Sequence, residues 1–250
     1  MGGRLVADGH RVTVLTTAAR EVGDFWLPPP TSAPALRSHE ALDGVSVVRL
    51  TVKYPWPVPY AFGLARRAGL WLQRSGLPTV IQHPLLRRLS RWMPPVPGLE
   101  VALSQLVPWA DLIQAVDSSW DGLFAAAGAA AQRYRKPLVA IPLMHLSDAR
   151  VRAHFQMAHQ VDVYHSAEAV VALSRGEANT LANMGVAPTR IHILPMGANP
   201  DSATGIQASD VAKLRRQYGV LGPMVIFLGA TTHDKGAFTL ARAVAQLNAS

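Results

Sequence analysis

The sequence contains no cysteine, which excludes both a disulfide scaffold and a metal site built on thiolates. Charged residues are scarce at 16%, whereas apolar residues make up 49% of the 250 residues. This composition excludes extensive disorder and is typical of a globular chain. No apolar run reaches the roughly 20 residues that a membrane-spanning helix needs, since the longest candidate, residues 122–131, is alanine-rich and too short.

Acidic residues are absent from residues 44–99, although this stretch is rich in basic ones. Its basic residues are Arg49, Lys53, Arg66, Arg67, Arg74, Arg87, Arg88 and Arg91. The net charge of the whole chain is +8, so this one region carries the entire excess. The distribution indicates one anionic partner surface rather than a generally basic protein.

Two basic amphipathic helices are predicted inside this stretch. The apolar side of the first is Leu64, Ala68, Trp71 and Leu72, with Arg66, Arg67 and Arg74 opposite. The apolar side of the second is Leu85, Leu86, Leu89, Trp92 and Met93, with Arg87, Arg88 and Arg91 opposite. Three interpretations stay open, namely solvated faces, a surface for an anionic membrane or an acceptor, and a nucleic-acid surface. Nucleic acid is the least favoured, because stacking platforms and known motifs are lacking, and we expect no such partner.

The rest of the chain alternates strands with helices. Strands are predicted at residues 11–17, 45–50, 112–116, 137–144, 169–173, 190–195 and 224–228. Helices are predicted at residues 4–8, 120–133, 148–161, 176–184, 211–218 and 237–247, and residues 18–44 are predicted to be an irregular loop. Apolar strands alternating with helices predict an α/β fold, a Rossmann-like parallel sheet covered by helices.

Four segments, in this order and spacing, resemble the glycosyltransferase family 4 pattern. Residues 9–16 read GHRVTVLT, similar to the "GHxVxVxT" strand of that family. Residues 110–113 (ADLI) and 136–145 (KPLVAIPLMH) resemble its fourth and fifth strands. Residues 171–174 (VALS), 185–186 (GV) and 191–197 (IHILPMG) follow its next motif, and 227–229 (FLG) with 235–236 (KG) resemble "FxGRxxxxKG".

The resemblance implies the GT-B architecture, two Rossmann-like domains that bind a nucleotide-sugar donor, with no metal or other cofactor. We expect residues 1–197 to form the acceptor-side domain, 198–222 a linker and entry helix, and 223–250 the first strand and helix of a truncated donor-side domain. In that family, a first strand and a Gly-rich loop precede the segment that matches residues 9–16, and we find no counterpart of them in residues 1–8. The family's glutamate pair, expected later in the donor-side domain, also has no counterpart in residues 1–250. We therefore expect an incomplete chain that is inactive alone, lacking a strand that would pair with both the 11–17 and 112–116 strands.

On the donor side, the resemblance implies that Gly229 and Lys235 contact the donor diphosphate. Glycine allows a close backbone approach, and Lys235 precedes a predicted helix beside the end of an apolar strand. Without the resemblance, Gly229 would be interpreted as an ordinary turn glycine and Lys235 as a solvated lysine. Gly197 is a candidate for lining the cleft or for a simple turn. One departure matters, because Ala230 stands where the family has an arginine.

On the acceptor side, His145 ends a predicted strand, at the edge where parallel sheets bind ligands. We interpret it as the candidate catalytic residue, able to bond a sugar hydroxyl or orient the acceptor, or else as a structural histidine bonded to a carbonyl. Ser174 follows another strand as a cleft-lining candidate or a helix cap. His154 and His159 lie five residues apart and are predicted to be surface residues, and no histidines have metal-ligand spacing.

Three functions compete at this stage. The first is a retaining hexosyltransferase acting on a glycan, cell-envelope or lipid-linked acceptor in carbohydrate or glycolipid biosynthesis. The second is a non-catalytic Rossmann-like binding module or degenerate relic, and the third is a GT-B sugar-nucleotide epimerase. We expect a cytoplasmic protein, with peripheral attachment to the cytoplasmic membrane face if the basic helices dock on lipid.

Overall fold

The structure is a computed structural model that divides into two compact units, Met1–Pro195 and Met196–Ser250. It describes residues 2–28, 36–54, 60–146, 149–197, 204–229, 231, 233 and 235–249, without the side chains of residues 150, 248 and 249. Three predicted features lie outside these residues, namely Ala230, residues 198–203 of the linker and the start of the helix predicted from residue 148. The assignment of acceptor and donor roles to two domains stays a prediction.

The described elements follow the predicted alternation. The strands are β1 Thr13–Thr17, β2 His39–Leu42, β3 Val45–Leu50, β4 Ile113–Val116, β5 Leu138–Ile141, β6 Ala169–Ala172 and β7 Ile191–Ile193. The helices are α1 Gly2–Ala7, α2 Ala61–Arg74, α3 Thr79–Ser90, α4 Leu99–Leu106, α5 Asp121–Tyr134, α6 Ala149–Ala153, α7 Ala158–Ser166, α8 Arg175–Asn183, α9 Ala208–Gln217 and α10 Ala237–Ala249. In the described part of the chain, no helix is long and apolar enough to cross a membrane.

The strands form two sheets in the first unit. The larger is fully parallel in the order β4-β5-β6-β7, with Ile113 opposite Leu138 and Val170 opposite Ile191. The smaller has the order β1-β3-β2, in which β1 and β3 are parallel and β2 is antiparallel. Within the described residues, β1 and β4 each pair on one side only, and the strand expected to join them stays a prediction.

The smaller sheet corrects the expectation of a continuous loop over residues 18–44. β2 and β3 form a hairpin whose two-residue turn is Asp43-Gly44, with φ of 49° and 77°. Both values are positive, as a type I′ turn requires, and Asp-Gly is one of the strongest sequence signals for that turn. The sequence therefore carried a hairpin signal that the interpretation as a loop overlooked.

The core of the larger sheet lies between its strands and helices α5, α7 and α8. Leu138, Val170 and Leu181 are almost fully buried there. The rings of Phe124 and Tyr164 pack edge to face with their centroids 5.7 Å apart. This apolar contact fixes α5 against α7 and so positions the loops that leave the sheet.

The helix predicted over residues 148–161 is interrupted, which is a second correction. α6 ends at Ala153 and α7 begins at Ala158, and side chains satisfy the backbone groups between them. Gln160 accepts the Met157 N–H at 3.0 Å and donates to the His154 carbonyl at 2.8 Å, and the Tyr164 hydroxyl donates to the Phe155 carbonyl at 3.1 Å. These hydrogen bonds compete with helical ones, so the backbone leaves the helix here.

Helices α2 and α3 are confirmed, but α2 turns a different side to the core. Gly69 faces the core because a Cβ there would lie 3.0 Å from Met93 Cε and 3.3 Å from Met157 Sδ. This close approach needs a small residue, and it rotates Leu64, Ala68 and Trp71 out to solvent. The apolar side predicted for α2 is therefore wrong, except at Leu72, which is buried. The apolar side predicted for the second helix is buried at Leu86 and Met93, but it is wrong at Leu85 and Trp92, which are exposed.

The second unit contains α9 and α10, both close to their predicted positions. The strand predicted over residues 224–228 is wrong. A strand satisfies its backbone groups by pairing with a neighbour, and the described residues of this unit contain no strand with which residues 224–228 could pair. Leu228 is accordingly 98% exposed.

Candidate functional site

The carboxyl ends of β4, β5 and β6 lie side by side, because these strands are neighbours in a parallel sheet. His145 lies four residues beyond the end of β5, and Ser174 lies two residues beyond β6. The sheet therefore brings the two acceptor-side candidates to one edge, which is where open α/β sheets bind ligands.

The backbone at this edge is held in unusual conformations. Asp117, directly after β4, has a φ of 66°, and Leu143, two residues beyond β5, has a φ of 55°. Ser118 lies between them, fully buried, and its backbone N–H and hydroxyl both donate to the Pro142 carbonyl at 3.0 Å. Non-glycine residues with positive φ carry strain and cluster at functional sites, so this outlier pair favours a binding role for the edge.

Glu177 joins the ends of β5 and β6, a role that the sequence did not reveal. Its carboxylate is almost fully buried and accepts the backbone N–H of Met144 at 2.9 Å and of Leu173 at 2.7 Å. Each oxygen thus holds the residue directly before a candidate, Met144 before His145 and Leu173 before Ser174. Ser174 in turn accepts the Glu177 N–H at 3.2 Å, which confirms its predicted role as the cap of α8.

The His145 side chain is exposed, and its ring lies 5.9 Å from the Phe155 ring. Within the described residues it makes no hydrogen bond, so the alternative of a histidine bonded to a carbonyl finds no support. Both ring nitrogens are available to a ligand, one as donor and one as acceptor in the neutral form. That chemistry suits a sugar hydroxyl, while the catalytic assignment stays a prediction.

A buried polar cluster, centred on Asp121 at the start of α5, lies in the interior of the first unit. The Asp121 carboxylate is fully buried, and its Oδ1 accepts hydrogen bonds from Gln160 Nε2 at 2.6 Å and pairs with His159 Nε2 at 3.0 Å. Arg66 Nε approaches Oδ2 at 3.3 Å without the geometry of a hydrogen bond. The cluster joins α2, α5 and α7.

This cluster corrects two expectations. His159 is 1% exposed, so its prediction as a surface residue is wrong, and the helix α7 that carries it packs into the core. Arg66 and Arg49 differ from the other arginines of the basic stretch, because their side chains are only 17% and 13% exposed and face Asp121 and Glu40. No spacing in the sequence links residues 66, 121 and 159, so only the fold could bring them together.

His154 adjoins the same cluster and is half-buried rather than fully exposed. Burial, and after it the positive charge of Arg66, lowers the pKa of His154, and the smaller influence of Asp121 opposes this. Its Nδ1 is buried and finds no hydrogen-bond partner among the described residues. Protonation of His154 is therefore disfavoured in the folded protein.

The remaining arginines of the basic stretch lie on the surface of the first unit. Arg87 makes a two-pronged contact with Asp162 at 2.7 and 2.9 Å, and Arg91 pairs with Glu100 at 3.2 Å. Arg67, Arg74 and Arg88 are exposed and have no carboxylate partner among the described residues. The basic surface is thus partly neutralised, and three arginines carry its unpaired charge.

The donor-side candidates all belong to the second unit. Gly197 is exposed and a Cβ there would meet open space, so the structure gives no steric reason for a glycine. Gly229 has a φ of 153°, which residues with a side chain rarely adopt. Lys235 is exposed and lies two residues before α10, as predicted. The diphosphate contacts of Gly229 and Lys235 stay predictions.

Metal ligands were not expected, and this expectation also stays a prediction. In the described ranges, no group of three or more His, Cys, Asp or Glu side chains could hold a metal ion.

Comparison with known proteins identifies the family. Residues 1–197 match the family model described as "Glycosyl transferase 4-like domain". The structure is similar to that of Anabaena Alr3699/HepE in complex with UDP and glucose, with a TM-score of 0.51 and 20% identity over 82% of this chain. The chain spans 45% of the length of the Anabaena protein. No curated protein matches the present chain. The predicted α/β fold class is confirmed, and the chain belongs to the glycosyl transferase 4-like domain family.

Proposed function

We propose that the protein is a glycosyltransferase that moves a sugar from a nucleotide-sugar donor to a hydroxyl of a glycan or lipid-linked acceptor. The observation that carries this proposal is the family match over residues 1–197. The similar Anabaena protein was solved with UDP and glucose, the two parts of a nucleotide sugar, which supports this class of donor. The sugar transferred is proposed to be a hexose.

The acceptor is proposed to bind at the carboxyl ends of β4, β5 and β6. His145 offers a hydrogen bond to a sugar hydroxyl there, and Glu177 is the positioning residue, because it fixes the backbone N–H of Met144 next to His145. The strained residues Asp117 and Leu143 shape the same edge. An exposed imidazole without a hydrogen bond in the described part of the chain, beside a backbone N–H that Glu177 holds, is suited to orient a hydroxyl for attack.

The reaction forms a bond from the acceptor oxygen to the anomeric carbon and breaks the bond from that carbon to the diphosphate oxygen. We propose retention of configuration, in which the acceptor oxygen enters on the face that the diphosphate leaves. The hydroxyl proton then passes to an oxygen of the departing diphosphate. Lys235 and the backbone amides at the start of α10 are proposed to stabilise the charge that develops on this leaving group.

A non-catalytic sugar-nucleotide binding module is the second candidate. The residue at position 230 favours this candidate, because alanine stands there where the family has an arginine that holds the donor diphosphate together with the lysine at position 235. Such a module would bind the nucleotide sugar without releasing a nucleoside diphosphate.

One experiment separates the transferase from the non-catalytic module. The protein encoded by the whole open reading frame is incubated with a panel of nucleotide sugars and acceptors. The transferase proposal predicts acceptor-dependent release of nucleoside diphosphate, together with sugar on the acceptor by mass spectrometry. Lys235→Ala should reduce this release at least tenfold, whereas Lys213→Ala, an exposed lysine of the same unit, should not. Binding of a nucleotide sugar with no release under any condition would support the non-catalytic module instead.

A further inference from the structure

The hairpin of α2 and α3 turns a mixed apolar and basic surface to solvent. The outer face, as we define it, consists of Leu64, Arg67, Trp71 and Arg74 from α2, and Ile81, Leu85, Arg88 and Trp92 from α3 and the residue after its cap. These positions recur every three or four residues, so each set lies along one side of a helix. Each stripe thus combines large apolar side chains with arginines that have no carboxylate partner among the residues described.

The exposure of these apolar side chains is built into the fold. The opposite sides of the helices are occupied by core residues such as Phe62 on α2 and Leu86 on α3. The Gln82 side chain fixes the hairpin by donating to the carbonyls of Leu72 and Gln73 at 2.9 and 3.1 Å. Trp71 is 71% exposed on this rigid support, and a large aromatic side chain held in that way indicates a contact surface.

The charge of the outer face is of one sign. Neither α2 nor α3 contains an acidic residue. Next to the outer face, an open depression of about 440 Å³ on α3 is lined by Pro84, Arg87, Arg88 and Arg91. Arg87 and Arg91 of this depression pair with Asp162 and Glu100, whereas Arg88 has no carboxylate partner among the described residues and can donate to a phosphate group.

We propose that the outer face docks on the surface of an anionic lipid bilayer. Apolar side chains that enter the interface, with basic ones beside them that meet anionic headgroups, are what a helix lying on a membrane requires. Tryptophan prefers this interface, which fits Trp71 and Trp92. A second copy of the chain fits less well, because two faces of equal positive charge would repel each other.

This proposal goes beyond the transfer reaction and does not depend on it. Docking would hold the first unit at the membrane, where a lipid-linked acceptor is found. Because binding to vesicles needs no donor and no turnover, failure of the docking proposal and failure of the transferase proposal give different results.

The test measures sedimentation of the protein with vesicles of phosphatidylcholine alone and with 30% phosphatidylglycerol. A triple variant, R67Q/R74Q/R88Q, is compared with the control R11Q/R37Q/R133Q, which removes three exposed arginines elsewhere in the first unit. Each basic side chain near the surface contributes about fivefold to the partition constant, so the triple variant should bind about 100-fold more weakly. The control should change binding less than threefold, and salt should weaken wild-type binding.

A second measurement tests insertion of the apolar residues. Lipids with brominated acyl chains should quench tryptophan fluorescence in the wild-type protein, and the quenched component should be missing in Trp71→Phe. W71A/I81A should weaken binding to vesicles, whereas Trp109→Ala, which removes another exposed tryptophan, should not. The proposal is overturned if the folded protein does not bind anionic vesicles, or if R67Q/R74Q/R88Q and the control R11Q/R37Q/R133Q lose binding equally. Concentration-dependent dimers abolished by W71A/I81A, without vesicle binding, would overturn it in favour of a second copy.

Discussion

Replacement of Asp121 by alanine is expected to destabilise the first unit strongly. The carboxylate is fully buried and interacts with three side chains, those of Arg66, His159 and Gln160. Its removal leaves the Arg66 charge, 17% exposed, without a counter-ion, and it leaves the donor of Gln160 without this acceptor. Breaking a buried ion pair by removing one partner costs about 3–5 kcal/mol, because an uncompensated charge stays inside.

The pair of Arg91 and Glu100 provides a matched control. Both side chains are more than 70% exposed, so solvent screens their attraction. Glu100→Ala also removes one carboxylate, but it should lower the free energy of unfolding by only about 0–1 kcal/mol. The comparison separates the effect of burial from the effect of net charge.

The assay is urea unfolding at neutral pH, followed by circular dichroism. A loss of 3–5 kcal/mol corresponds to a midpoint shift of about 1–2 M urea for a protein of this size. Asp121→Asn keeps the shape and one acceptor oxygen, and should fall between the alanine variant and the wild type. If Asp121→Ala and Glu100→Ala shift the midpoint equally, the cluster does not stabilise the fold and our reasoning is wrong.

Three further predictions concern neighbouring parts of the first unit. Folding lowers the pKa of His154, so the unfolded chain binds the proton more readily than the folded one. The free energy of unfolding should therefore fall as the pH drops below about 6.5 toward the lowered pKa. The melting temperature should be lower at pH 5.5 than at pH 7.5, and this difference should be smaller in His154→Gln. Glu177→Gln places an amide N–H against a backbone N–H; we expect kcat to fall at least tenfold while the Kd of the donor, from calorimetry, is unchanged, and an unaltered kcat would contradict the positioning role. Gly122→Ala brings a Cβ to 2.5 Å from the Ser90 carbonyl oxygen and should cost about 1–3 kcal/mol in urea unfolding, whereas Gly197→Ala, which meets open space, should be neutral.

Much of the larger sheet could be predicted from the sequence. Apolar runs such as residues 169–172 must be buried on both faces, and their alternation with helices leaves few arrangements other than a parallel sheet. The carboxyl ends of β5 and β6, and with them His145 and Ser174, followed from that topology. These residues were found because their position depends on the order of elements and not on side-chain packing.

The rest depended on contacts between distant residues. The side of α2 that faces the core was misjudged because Gly69, and not the large residues, makes the closest approach to Met93 and Met157. Residues 224–228 have the composition of a strand but no described partner. Glu177 and Asp121 each make a hydrogen bond to a residue more than 30 positions away along the chain, Met144 and Gln160, and no local pattern encodes such a contact.

The proposed sugar transfer at the carboxyl ends of β4, β5 and β6 is tested most directly by His145→Ala. The measurement is the rate of radiolabelled sugar transfer by the protein encoded by the whole open reading frame, at saturating donor. We predict a fall of at least 100-fold, with the melting temperature and the donor Kd unchanged, because His145 is exposed and makes no hydrogen bond within the described residues. Transfer at the wild-type rate by His145→Ala would contradict the account.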